Sequence, residues 1–346
     1  ENVMPDRLNI FPEFEDGVIT MSVNTDFRGN NLDNLAGEIS IVDGLIYTPE
    51  TSVEIDTMTL RAFEDDKPRI QLTSDFVNGR LAGEYNFSHF RETFFDMIAH
   101  FLPSVAGRNP EENQPLNRFN FAFDFKGFNR IAELFMPGLD IAADGQVRGK
   151  VDSRAHFLDV EASFDHLGYK GSVAEGIEFH ADARDGEVLE LVTRAREIRP
   201  ADLFTFYNFS LHHKAMNDTL GMNIFWNNWG EVTNSGAIYT KTSFDRDRQD
   251  RFRLKSILDP SSVILKDSVW QISRSQITYA PEHFSIQGFN VSHGDQKLGL
   301  EGFLHRKSID GLRLEMDNIE LSQFFDEEPT KARETPLRLG GRADGS

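Results

Sequence analysis

The chain has no cysteine among its 346 residues, which removes disulfide frameworks, thiolate metal sites and cysteine nucleophiles together. It is short of cations as well: 36 Lys and Arg stand against 56 Asp and Glu, a formal net charge of −20. Binding to a phosphate backbone draws its affinity mainly from Lys and Arg displacing counterions, so nucleic acid is set aside as a partner. The same charge opposes electrostatic docking on an anionic bilayer, and any dealings with lipid must run through apolar contact. No run reaches the roughly 18–20 apolar residues that a membrane-spanning helix needs. G-x-S-x-G, P-loop and G-x-G-x-x-G signatures are missing, and the ten histidines show no HExxH, so the expectation is a non-enzyme with no metal or other cofactor. Starting at Glu1 rather than Met, the chain reads as an internal piece of a longer protein.

Tryptophan and tyrosine are scarce, 3 and 6, whereas phenylalanine reaches 30. A buried Phe has no polar group to satisfy, so this inventory suits extensive dry surface better than a wet recognition face built from Tyr and Trp.

What is present is period-two alternation, from about residue 18 to about residue 318, with β-branched and aromatic residues at the apolar positions. The expected fold is all-β with minor short helices. The clearest strands are Glu38 to Ile41, Ser52 to Leu60, Arg69 to Phe76, Arg80 to Phe87, Arg118 to Phe125, Gly221 to Trp226, Gln296 to Leu304 and Leu312 to Met316. Asp43-Gly44, Asn78-Gly79, Asp144-Gly145, Asp185-Gly186, His293-Gly294-Asp295 and Asp310-Gly311 are read as tight turns, which makes neighbouring strands antiparallel. Helical patterning is confined to four pieces: Ser88 to Leu102, with Ser88 as cap and Pro103 as stop, then Phe128 to Met136, Arg199 to Tyr207 and Leu321 to Phe325.

Distant segments share one grammar of hairpin, strand carrying a glycine, second hairpin and helical cap. It divides the chain into repeat units at 1–106, capped by the helix over 88–102, at 107–200, with the helix over 128–136, and at 201–325, ending in a short helix. Residues 326–346 carry charge, Gly and Pro without periodicity and read as a linker-like tail. About eighteen strands spaced about 4.8 Å apart are too many to stay flat, and such a sheet must curl into a trough or split into packed sandwiches.

Phe119, Phe121, Phe123 and Phe125 put four rings on one face of a strand, and Leu298, Leu300, Leu312, Leu314 and Met316 form a similar row. With Ile39 and Ile41, these are candidates to line an apolar groove. The competing reading is ordinary sandwich core. Asp245 to Asp250 alternates acids but lacks the glycine and glutamate of a calcium loop, and reads as a solvated hairpin tip.

The stretches LAGEISIVDGLIYTPETSVEIDTMTLRA, IQLTSDFVNGRLAGEYNFSHF and HFSIQGFNVSHGDQKLGLEGFLHRKSIDGLRLEMDNIELSQFF, with L-x-G strand starts and Asp-Gly hairpins, resemble the TamB branch of the AsmA-like envelope proteins in the form found in Bacteroidetes. That resemblance implies a periplasmic location within a larger protein anchored in the inner membrane. It also implies a long folded-over antiparallel sheet, a β-taco, whose greasy concave face carries a phospholipid or other acyl-chain ligand. The implied protein partner is an Omp85-type, TamA-like outer-membrane barrel, and the implied roles are lipid transport and assembly of outer-membrane proteins. The rival from another class is a glycan-binding or adhesive β-sandwich of the cell envelope.

Overall fold

The computed structural model describes residues 2–3, 18–31, 33–49, 51–63, 68–107, 116–141, 144–201, 205–229, 232–305, 311–320 and 338–345. Among the described residues the fold is a long antiparallel sheet with only short helices. Two compact units divide it, one of residues 1–94 with 112–184 and the other of residues 95–111 with 185–346, where the repeat grammar suggested three units and a tail.

The first unit contains β1 (Asn2–Val3), β2 (Val18–Arg28), β3 (Ala36–Tyr47), β4 (Ser52–Phe63), β5 (Arg69–Ser74), β6 (Val77–Glu84), β7 (Arg118–Lys126), β8 (Leu139–Ile141), β9 (Asp144–Asp152), β10 (Phe157–Tyr169) and β11 (Ser172–Asp182). Neighbours in sequence pair antiparallel, except that β7 passes over β8 to pair with β9. β8 instead follows β9 along the edge of β10. The second unit contains β12 (Leu189–Arg199), β13 (Phe206–Met216), β14 (Thr219–Trp229), β15 (Thr233–Arg246), β16 (Phe252–Leu258), β17 (Ser261–Leu265), β18 (Ser268–Ile272), β19 (Ser275–Ala280), β20 (His283–His293), β21 (Gln296–His305), β22 (Leu312–Glu320) and β23 (Arg338–Gly345). Both β16 and β17 pair with β15, and both β18 and β19 pair with β20, so each pair acts as one interrupted strand. The interruption in the first is Asp259-Pro260, where proline has no N–H to give the ladder.

Six of the eight clearest strand expectations lie wholly within strands, whereas Arg69 to Phe76 runs two residues past the end of β5 and Arg80 to Phe87 runs past β6 into a 3-10 turn. Several other expectations are corrected. The linker-like tail supplies β23, which pairs with β22. Phe206 and Tyr207 open β13 rather than ending a helix, and the expected helix at Leu321 to Phe325 lies outside the described residues. Asp43-Gly44 and Asn78-Gly79 sit inside β3 and β6, and Asp144-Gly145 opens β9. The turn before β6 is closed instead by Ser74, whose hydroxyl donates to the Val77 carbonyl at 2.8 Å and accepts from the Val77 N–H at 2.9 Å.

The first helical piece is a 3-10 turn, Phe87–His89, running into α1 (Phe90–Phe101). Asn86, not Ser88, is its cap, accepting from the His89 N–H at 3.1 Å. Ser88 donates to Asp33, whose carboxylate also takes the Phe87 N–H. The Asp33 carboxyl lies below its ordinary range: desolvation pushes it up, but the hydrogen bonds from Ser88 and Phe87 outweigh that. Pro103 starts a further turn, α2 (Pro103–Ala106), as proline at a first helical position can. α3 (Asn129–Phe135) matches the second expected helix.

The L-x-G phrase has a steric basis. Gly37, Gly83 and Gly302 share φ of +127°, +132° and +127°, a region essentially closed to side chains. A Cβ on Gly83 would run into the Arg118 carbonyl of the paired strand, and Gly37 and Gly302 meet the carbonyls of Asp26 and Gly311 in the same way. Gly37 stands at the start of its strand, as the phrase suggests, whereas Gly83 and Gly302 lie in the later part of theirs; the three face Phe27, Phe119 and Leu312. Gly83→Ala is expected to cost about 1–3 kcal/mol of stability in urea unfolding. Gly299→Ala, whose Cβ would meet nothing nearer than 3.8 Å, should change it far less.

Candidate functional site

Directly paired residues of an antiparallel sheet share a face, so the register maps each face strand by strand. In the first unit one row from β3 to β11 reads Ile39, Leu60, Leu72, Gly79, Phe123, Val147, Ala162, Phe179. The adjacent row on that face reads Gly37, Ala62, Ile70, Leu81, Phe121, Gly149, Val160, Ala181. Neither row contains an ionisable side chain or a hydroxyl. The opposite face reads Glu38, Arg61, Gln71, Arg80, Ala122, Arg148, Glu161, His180 over the same strands. Its charges pair across strands, Arg61 with Glu38 at 2.7 Å and Arg148 with Glu161 at 2.9 Å, in solvent where each pair adds little stability.

Of the eleven candidate residues, only Phe119 is buried, at 4% exposure; Ile39, Ile41, Phe121, Phe123, Phe125, Leu298, Leu300, Leu312, Leu314 and Met316 are half-buried. Ile39 shares its row with Phe123, and Ile41 packs beside Met58 in the row beyond it. The ends of the β7 aromatic row are covered. Phe90 of α1 approaches Phe119 at 5.4 Å between ring centroids, and Phe128 approaches Phe125 at 5.2 Å. α3 closes that second end, with Ile131 and Leu134 packed against Val53 and Ile55 of β4. Between the ends, Phe119, Phe121 and Phe123 follow at 6.0 and 6.1 Å.

In the second unit Leu298 pairs with Met316, Leu300 with Leu314, and Leu312 with Gly302, so those five candidates do form one patch. Leu298 and Met316 lean on a core of Trp226, Val263, Trp270, Ile272 and Ile319. This face is less dry than the first unit's: the row joining Leu220 and Ile277 carries Thr242 and Ser256, hydrogen-bonded at 2.9 Å. Asp245 to Asp250 forms the β15–β16 tip, where Asp247 accepts from the backbone N–H groups of Gln249 and Arg251. Among the described residues no group of three or more His, Asp or Glu side chains is placed to hold a metal ion, and no helix is long and apolar enough to cross a membrane.

Two histidines give opposite pH responses. His166 lies between Glu175, at 2.8 Å from Nδ1, and Asp140, at 3.2 Å from Nε2. The hydrogen bond to Glu175, with the neighbouring charges, raises its pKa against a smaller desolvation effect. Its folded value exceeds its unfolded one, so its stabilisation is fully present below about pH 6.5 and is lost as pH rises through the raised pKa. His213 pairs with Leu191 and Met222, and burial lowers its pKa. The folded state then resists a proton that the unfolded chain accepts, so stability falls as pH drops through about 6.5. Melting scans should show His166→Gln losing the alkaline dependence and His213→Leu losing the acid one.

No protein-family model, curated protein or solved structure matches this chain.

The residues missed in the sequence are Leu60, Leu72, Val147, Ala162, Phe179 and the glycines between them. Their alternation was visible, but the register that aligns them with Ile39 and Phe123 was not.

Proposed function

We propose that this chain is a non-enzymatic segment of the cell envelope whose apolar sheet face accommodates lipid acyl chains, conducting them between membranes or supporting outer-membrane protein assembly. The carrying observation is the pair of adjacent rows on the first unit's face: apolar over eight consecutive strands, without a charged side chain, and for the most part half-buried, with Ala62, Leu81 and Ala181 buried. At about 4.8 Å per strand it extends about 34 Å along the sheet. Length matters because each methylene contributes about 0.8 kcal/mol, so a 16-carbon chain needs roughly 12 kcal/mol of replacement contact, more than one or two strands supply. The periplasmic location, the inner-membrane anchor outside this chain and the Omp85-type barrel partner rest on the resemblance of the L-x-G and hairpin phrases.

Native mass spectrometry of the purified chain, with solvent extraction of its bound lipid, tests the reading. Acyl lipid in the native ion, released on unfolding, is the expected result. A lipid-free chain with saturable, sugar-specific signals on a glycan array would replace this reading with the adhesive one.

A further inference from the structure

Four phenylalanines stand side by side along β7, yet the face is not a ridge. A Cβ built on Gly79 would lie 2.6 Å from Cδ1 and Cε1 of Phe123, and one built on Gly149 would lie 2.9 Å from Cζ of Phe121. A Cβ on Gly145 would collide with the Phe164 ring. These rings therefore lie down across glycines of the neighbouring strands. Phe123 leans towards β6 and Phe121 towards β9, with planes 43° apart. Alternating sides in this way keeps both rings low while leaving the row unbroken.

Resting on the acyl-chain reading above, we infer that Gly79 and Gly149 are specificity-determining residues: they set the clearance over the first unit's apolar face and restrict it to flexible alkyl chains. Two properties exclude a polypeptide. Protein cores pack by interdigitation, which needs knobs and holes, and rings laid flat over glycines supply neither. An extended peptide would bring N–H and C=O groups needing partners, whereas these rows carry no charge or hydroxyl and the sheet's own backbone groups are spent in the ladders. An alkyl chain asks for no partner and adapts its torsions to a low floor.

The substitution that separates clearance from folding is Gly79→Ala. Its Cβ would meet only side-chain atoms, those of Phe123 and, at 3.7 Å, Leu72, whereas Gly149 also has the Asp159 carbonyl at 2.7 Å. The added methyl must lift the Phe123 ring into the space above the face. The full chain is labelled with a long-chain diazirine fatty acid, and melting is followed in parallel. Gly79→Ala is expected to reduce labelling about tenfold, the equivalent of a modest overpacking penalty. Adding Phe123→Ala removes the lifted ring and should restore labelling. Phe123→Ala alone should keep it, and Ala122→Leu on the polar face, between Arg80 and Arg148, should leave it unchanged. Wild-type labelling of Gly79→Ala, or a double variant that melts normally and stays unlabelled, overturns the inference while leaving the acyl-chain reading intact. A drop with Phe123→Ala alone overturns it even if Gly79→Ala does not fold. A wild type that takes no label overturns the acyl-chain reading, and this inference with it.

Discussion

Trp270→Ala should lower the melting temperature of the chain by roughly 6–20 °C, the result of losing about 3–5 kcal/mol from a unit of this size. Trp270 has no exposed surface and is the largest fully buried side chain among the described residues. It pairs with Val263 across the short hairpin of β17 and β18 and packs in the cluster that holds Trp226, Ile272 and Ile319. Its neighbours Trp226, Val263, Ile272 and Ile319 are each held in paired strands, so a cavity there can collapse only in part. Against a typical total stability of about 5–15 kcal/mol the loss is large. Val269→Ala, the exposed neighbour on the other face of β18, is the control and should shift melting by a small fraction of that. Equal shifts for the two would mean that the tryptophan cluster is not the second unit's core.

The two candidate patches thus differ in what supports them, and the sequence shows only part of that difference. Alternation placed Phe119 to Phe125 and Leu312 to Met316 on strands with the right inward parity, because period two is a local property. Register is not local. That Ile39 lies in line with Phe123, four strands away, depends on where each intervening hairpin turns. Here the strongest turn signal misled: Asn78-Gly79 is a preferred hairpin pair, yet Ser74 closes the turn earlier and Gly79 is left within the strand beneath a phenylalanine. Asp43 likewise takes a positive φ of 51° inside β3, at the register shift with β2, rather than reversing the chain. Glycine beside aspartate or asparagine signals backbone freedom, and a bulge, a turn and a floor under an aromatic ring all use it. In α1 apolar character does not mark the buried side: Phe94 and Phe95 are 57% and 43% exposed, while Thr93 and Asp96 are buried. Asn117 explains part of this, since it is fully buried and donates to the Thr93 hydroxyl at 2.8 Å, a polar tie between β7's approach and α1 that no apolar periodicity reveals.

Phe119→Asp and Phe123→Asp, two positions apart on one strand face, should have different fates. Phe119 is 4% exposed, held between Phe90 and Phe121, with Gly83 fixed opposite it by a backbone geometry no other residue adopts. A carboxylate there has no water and no partner, and the substitution also removes a packed ring. The expected penalty is several kcal/mol, enough to abolish the cooperative urea transition of the first unit. Phe123 is half-buried and lies over Gly79 in the middle of the face. Its replacement by Asp clears the floor above Gly79, and the carboxylate can keep its hydration while the face is empty. The chain should therefore retain most of its stability in urea, and lose the acyl lipid that solvent extraction recovers from the wild type. Charge in the path of an alkyl chain must be desolvated each time the chain lies over it, so the penalty moves from folding to binding. Unfolding of Phe123→Asp as complete as that of Phe119→Asp would make the face a closed core and remove the physical basis for carrying lipid on it.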